Sequence, residues 1–128
     1  MTDPIRPDLY AALVAQHGDR VPPLSEVFLR RGWVPLVDRL LTDLAREYPD
    51  ARIVALTGCG WLHIDYLLPL GAEHDWTRHA ALDRFLQRYI TESLSTCEGC
   101  GSGKGKGRHN RCSLTCDECE ERKEACNA

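Results

Sequence analysis

The spacing of apolar positions changes several times along the chain, and each change marks an element. In residues 7–17, Leu9, Leu13 and Val14 recur at helical spacing, with Pro7 near the start and Gly18 as the stop, which predicts a short first helix. After Pro22-Pro23, the stretch Leu24 to Arg31 reads as one or two helical turns before Gly32-Trp33. From Trp33 to Tyr48 the pattern is strongly amphipathic. Val37, Leu40, Leu41, Leu44 and Tyr48 share one face, Asp38, Arg39, Asp43, Arg46 and Glu47 lie elsewhere, and Pro49-Asp50 ends the helix.

The period then falls to two. Ala51–Thr57 and Trp61–Leu68 are β-rich runs separated by Gly58-Cys59-Gly60, the pattern of an antiparallel hairpin. In the second run Leu62, Ile64, Tyr66 and Leu68 share the face that should pack on helices, and Trp61, His63, Asp65 and Leu67 share a wetter one. A loop from Pro69 to Trp76 leads to Thr77 as N-cap of a further helix, whose stripe is Leu82, Phe85, Leu86, Tyr89 and Ile90. That helix runs directly into Cys97.

Beyond Cys97 apolar periodicity fails, and composition takes over the argument. The chain has 128 residues, enough for one ordinary core over the first 95, but a tail of roughly 30 residues cannot bury enough apolar surface to hold itself together. Six of the seven cysteines lie in that tail, so its staple is a disulfide framework or a metal. The first eight residues contain no apolar h-region, and no run approaches the ~18 apolar residues of a membrane span. These features point to the cytoplasm, where thiols stay reduced and clustered CxxC pairs usually mean metal.

Two such pairs are present. Cys97-Glu98-Gly99-Cys100 and Cys116-Asp117-Glu118-Cys119 are separated by fifteen residues, at the edge of a recognised zinc-site spacing. Zinc takes four soft donors tetrahedrally, and each tight turn aims two sulfurs at one point. Gly101 after the first pair permits the left-handed backbone that turns amides toward the sulfurs. The second pair opens a stretch with acidic residues first and basic ones later, the order a helix dipole favours. Knuckle, loop or hairpin, then a helix carrying the second pair is a treble-clef-like arrangement. Four protein ligands leave no open position, so the Zn2+ is structural. Cys112 competes with Cys116 as a ligand but would need a longer loop. Cys59, Cys112 and Cys126 are the surplus, with Cys59 read as a turn thiol without a role.

The tail's glycine-rich loop carries Lys104, Lys106, Arg108, His109 and Arg111, a candidate phosphate or partner contact. Its cations would also serve simply to neutralise the net −2 of a zinc tetrathiolate. Net charge is −3, carried entirely by residues 1–96, with ten arginines, no lysine and thirteen acidic residues. Neither part is the strongly basic surface of a protein that binds nucleic acid mainly through phosphates. His63 with Asp65, and His74, Asp75 and His79, could be imagined as a second metal site or an acid–base pair, but neither spacing is diagnostic, and histidines beside carboxylates are far more often surface hydrogen-bond partners. Of the three tryptophans, Trp61 at the hairpin turn is the one whose exposure would suggest an interface.

The order of Gly32-Trp33, the Gly58 to Tyr66 hairpin, Glu92-Ser93, Cys97-Glu98-Gly99-Cys100-Gly101 and Leu114-Thr115-Cys116-Asp117-Glu118-Cys119 resembles a family of small proteins of bacteriophages and prophages, over about residues 28–120. Members usually carry a Lys-Phe-Gly-Gly-Leu-Arg type stretch in the hairpin, where this chain has Thr57 to His63. The resemblance implies a phage-related origin and an intracellular role in a bacterial host, and supplies no activity.

The expected fold is therefore α+β, a small helical domain with a β-hairpin over residues 1–95 and a treble-clef-like zinc module over 96–128. The expected function is a non-enzymatic interaction protein that binds a host protein or protein complex, with inhibition of host defence, such as anti-CRISPR action, as one form. The alternative is a nucleic-acid-binding zinc-knuckle regulator using Lys104, Lys106, Arg108 and Arg111. No membrane partner is expected.

Overall fold

The computed structural model describes residues 4–108 and 113–127, the last five by backbone alone. Helix α1 spans Pro7–His17. Proline occupies its first turn, where no amide hydrogen is needed, and Gly18 ends it at φ +62°, with its amide donating to the Val14 carbonyl. Single-turn helices follow at Gly18–Arg20 and Leu24–Glu26. Val27–Phe28 then forms strand β1, where the sequence suggested helical turns. The difference is tertiary: β1 lies parallel to the hairpin's first strand, with Val27 opposite Leu56, and the Ile5 amide donates to the Val27 carbonyl from the other side.

After a turn at Arg31–Trp33, helix α2 (Val34–Glu47) buries Leu36, Val37, Leu40, Leu41 and Leu44, the predicted face with Leu36 added and without Tyr48, which caps the helix and is half-buried. Each such side chain contributes on the order of 2 kcal/mol by leaving water. Strands β2 (Arg52–Gly58) and β3 (Leu62–Leu67) form the expected antiparallel hairpin, with an irregularity between Ile53 and Ala55. The sheet order is β1-β2-β3. On β3 the alternation holds: Leu62 is buried and Ile64 and Tyr66 half-buried, while His63, Asp65 and Leu67 are exposed.

Helix α3 spans Trp76–Ser93, and its N-cap is Asp75, not Thr77: the Asp75 carboxylate accepts the Arg78 amide. Leu82, Phe85, Leu86 and Tyr89 are buried as expected, and Ile90 is only half-buried. The helix stops short of Cys97. Ser93 is consumed at the seam with the sheet, where its hydroxyl accepts the Leu62 amide and donates to the Ile90 carbonyl. Arg39 to Glu92 and Tyr89 to Asp43 tie α2 to α3. The tail holds a two-stranded ribbon, β4 (Lys106–Gly107) with β5 (Leu114–Thr115), and helix α4 (Asp117–Asn127). Half helix with a small sheet, the chain is α+β as predicted. Among the described residues no helix is long and apolar enough to cross a membrane.

Contacts cross the expected boundary at residue 95. Leu114 belongs to the main hydrophobic core. The fully buried Trp33 donates its indole hydrogen to the Thr96 carbonyl at 2.7 Å, and the Gly32 amide donates to the Glu98 carbonyl at 2.8 Å. Gly32 admits no side chain, because a Cβ there would lie 2.2 Å from the Cys97 carbonyl oxygen and 2.6 Å from the Glu98 carbonyl carbon. Glycine here serves close approach of two backbones rather than an unusual dihedral.

Candidate metal centre

The segment Cys97 to Cys100 folds as a tight turn closed by the Gly101 amide on the Cys97 carbonyl, 2.8 Å, with Gly101 at φ +82°. The Cys97 amide donates to the Ser102 carbonyl and the Glu98 amide to the Leu114 carbonyl, both at 2.8 Å, so the turn is clamped from the loop and from β5. Cys116 and Cys119 stand at the start of α4, where the Glu120 amide donates to the Cys116 carbonyl. This construction brings the four predicted sulfurs, of Cys97, Cys100, Cys116 and Cys119, within 4.8 Å of one another. None of the four is in a disulfide.

The geometry fits a metal. A tetrahedral ion with metal–sulfur bonds of about 2.3 Å, as zinc forms, places its sulfurs roughly 3.8 Å apart. Cys100 and Cys116 Sγ are 3.7 Å apart. Amides approach the sulfurs as they do around thiolates: Gly99 to Cys97 Sγ at 3.3 Å and Cys119 to Cys116 Sγ at 3.4 Å, with the Arg122 guanidinium 3.6 Å from Cys119 Sγ. Cys97 and Cys116 are buried, Cys119 is partly so and Cys100 is exposed.

The thiols of Cys100, Cys116 and Cys119 are shifted in opposite directions by their surroundings. Hydrogen bonds from Ser102 pull the Cys100 thiol down to about 6, and the Cys119 amide lowers Cys116. Burial and the three neighbouring sulfurs push Cys119 up to about 12. A cation among the four sulfurs would offset the charge that their deprotonation accumulates. Ser102 went unnoticed in the sequence, since a serine in a glycine-rich loop looks like linker. Its spacing two residues after Cys100 was the available signal.

The basic loop is largely occupied within the module. Lys106 Nζ lies 3.1 Å from Asp117, and the Arg108 guanidinium bonds the Thr115 hydroxyl and carbonyl, at 3.0 and 2.7 Å, and pairs with Asp117 and Glu120. Lys104 is exposed. His109, Arg111 and Cys112 lie outside the described residues, as does the side chain of Cys126.

One expectation about another residue is corrected. Cys59 is not a free turn thiol but is disulfide-bonded. Among the described residues the four-cysteine cluster is the one group of three or more ligand side chains close enough to share an ion, and no histidine belongs to it. His63 packs edge-on against Trp61, with ring centroids 4.7 Å apart, and His74 against Trp76 at 6.1 Å. His79 bonds the Tyr66 hydroxyl and the Glu73 carbonyl. Trp61 is 47% exposed, whereas Trp33 is core.

Compared with known proteins, the chain matches no family model, no curated protein and no solved structure.

Proposed function

We propose that the four cysteines hold one structural Zn2+ in a treble-clef-like module, and that the protein is a non-enzymatic interaction module for another protein. The observation that carries the first statement is the closure of four sulfurs to within 4.8 Å, which satisfies a tetrahedral ion with protein ligands alone. Knuckle, ribbon and helix occur in the treble-clef order. Purified protein should carry about one zinc per chain, and Cys97→Ser with Cys100→Ser should abolish it. Full zinc retention in that variant, or a metal-free wild type, would refute the site.

A protein partner is supported by exposed Trp61 at the hairpin turn just before β3 and by the internal pairing of the mostly buried Arg108, which withdraws it from phosphates. The resemblance over residues 28–120 is what points to a phage protein acting on a host complex, with blocking of a defence system as its use. Recovery of a stoichiometric partner from host lysate should survive nuclease. Nucleic-acid-dependent recovery, with affinity falling steeply in salt, would favour the zinc-knuckle regulator instead.

A further inference from the structure

Where the turn at 29–33 meets the knuckle, the chain leaves a cavity of about 260 Å³ lined by Pro4, Arg6, Leu29, Arg30, Arg31, Glu98 and Gly99. Three guanidinium groups and one carboxylate line it. Glu98 is buried and pairs with the half-buried Arg30 at 3.5 Å, which fixes that guanidinium in the wall. Arg6 holds Asp8 at 2.9 Å, but both are about 60% exposed, and such pairs are worth little in water. Arg31 is exposed, and among the described residues its side chain has neither a hydrogen bond nor an ion pair.

We infer that this cavity binds the dianionic phosphate of a phosphomonoester. The lining residues themselves carry an excess of two positive charges, with the exposed Asp8 beside Arg6 at its rim, and a monoester at −1.5 to −2 near neutral pH draws more on that excess than a single carboxylate or a diester does. Guanidinium forks present paired N–H donors in the spacing of phosphate oxygens, the reason arginine dominates such sites. Pro4 and Leu29 give the group carrying the phosphate an apolar wall. Backbone packing holds the site open: the Gly32 amide is anchored to the Glu98 carbonyl, so Arg30 and Arg31 are carried on a turn fixed against the knuckle. The inference stands whichever metal the cysteines hold, and whether or not the protein has a protein partner.

The competing role for these arginines is neutralisation of the nearby thiolates, and one experiment separates the two. Metal-loaded, isotope-labelled protein would be titrated at constant ionic strength with inorganic phosphate, phenyl phosphate, O-phosphoserine and dimethyl phosphate, following amide shifts. Saturable shifts centred on Arg6, Arg30, Arg31 and Gly99, with the monoesters at least about tenfold tighter than the diester, are expected. Arg31→Ala should weaken monoester binding by about tenfold without loss of metal, Arg31→Lys should recover part of it, and Arg84→Ala on the exposed side of α3 should change nothing. Phenyl phosphate and O-phosphoserine distinguish a small phosphorylated molecule from a phosphorylated side chain by which binds tighter. No saturable shift, equal binding of dimethyl phosphate, or an Arg31→Ala variant that loses metal while phosphate affinity stays unchanged would overturn the assignment.

Discussion

The sheet and helices up to Ser93 and the tail beyond it are held by different forces. In the first, Leu40, Leu41, Leu56, Leu62 and Leu82 are almost wholly withdrawn from water, and burial suffices. In the second, Leu114 is the one fully buried large aliphatic side chain of the described tail, and order comes from backbone clamps, ion pairs around Asp117 and four converging sulfurs. A region with a self-sufficient core survives loss of any one contact, whereas a region organised on a point fails with that point. The two meet on Gly32, Trp33 and Leu114, and there the contrast can be tested.

The largest effect should follow removal of the point. With the proposed ion in place, chelation, or Cys97→Ser with Cys100→Ser, would remove a binding free energy of order 10 kcal/mol. Hydrogen exchange should then show residues 97–127 opening first, with protection of Gly32 and Trp33 lost alongside them and that of α2, β2 and β3 retained. Simultaneous loss of protection throughout would mean that the core cannot stand without the tail.

Next in size is Gly32→Ala, which forces a methyl into the Cys97 and Glu98 backbone and should cost about 3 kcal/mol in denaturant unfolding. The cost should shrink once the metal is removed, since the clash exists only while the knuckle is docked. An equal cost with and without metal would place the strain elsewhere. Trp33→Phe leaves the Thr96 carbonyl without its indole donor and opens space beside Gly58, for about 2 kcal/mol by the same measurement.

These seam residues also mark where the sequence stopped being legible. Helix α2 and the β2–β3 hairpin followed from period because each is amphipathic over several residues, whereas α1, which buries only Leu13 and leaves Val14 exposed, followed from its punctuation by Pro7 and Gly18. The four sulfurs followed from spacing alone, because two knuckles impose their own geometry. Strand β1 escaped notice because Val27-Phe28 is too short to show alternation and exists only through its pairing with β2. The cap at Asp75 was missed for Thr77 because both are good N-caps, and only the start of packing decides. Gly32-Trp33 was visible as a motif, but nothing local says that the glycine makes room for residues 97 and 98. Cys59 likewise looked idle between two glycines, since nothing in its local sequence announces a disulfide.

The smallest effect separates the core from the tail by pH, because the core's two shifted tyrosines lie on the helix and sheet side. Tyr66 and Tyr89 are each pushed from 10.0 up to about 12, first by burial and then by the carboxylates they donate to, Asp83 and Asp43. The neutral phenol is thus favoured by the fold. Their contribution is complete below pH 10, the unfolded value, and is lost as pH rises from there through 12. For Tyr89, 5% exposed, that is on the order of 2 kcal/mol. Phenolate absorbance should therefore show two ionisations delayed to about 12 in native protein and returned to the ordinary range in denaturant, with Tyr89→Phe removing one of them. Chelation should leave both delayed, because neither phenol bonds any residue of the tail. If stripping the metal released them, the core would owe its packing to the cysteine centre, and the contrast between the two regions would collapse.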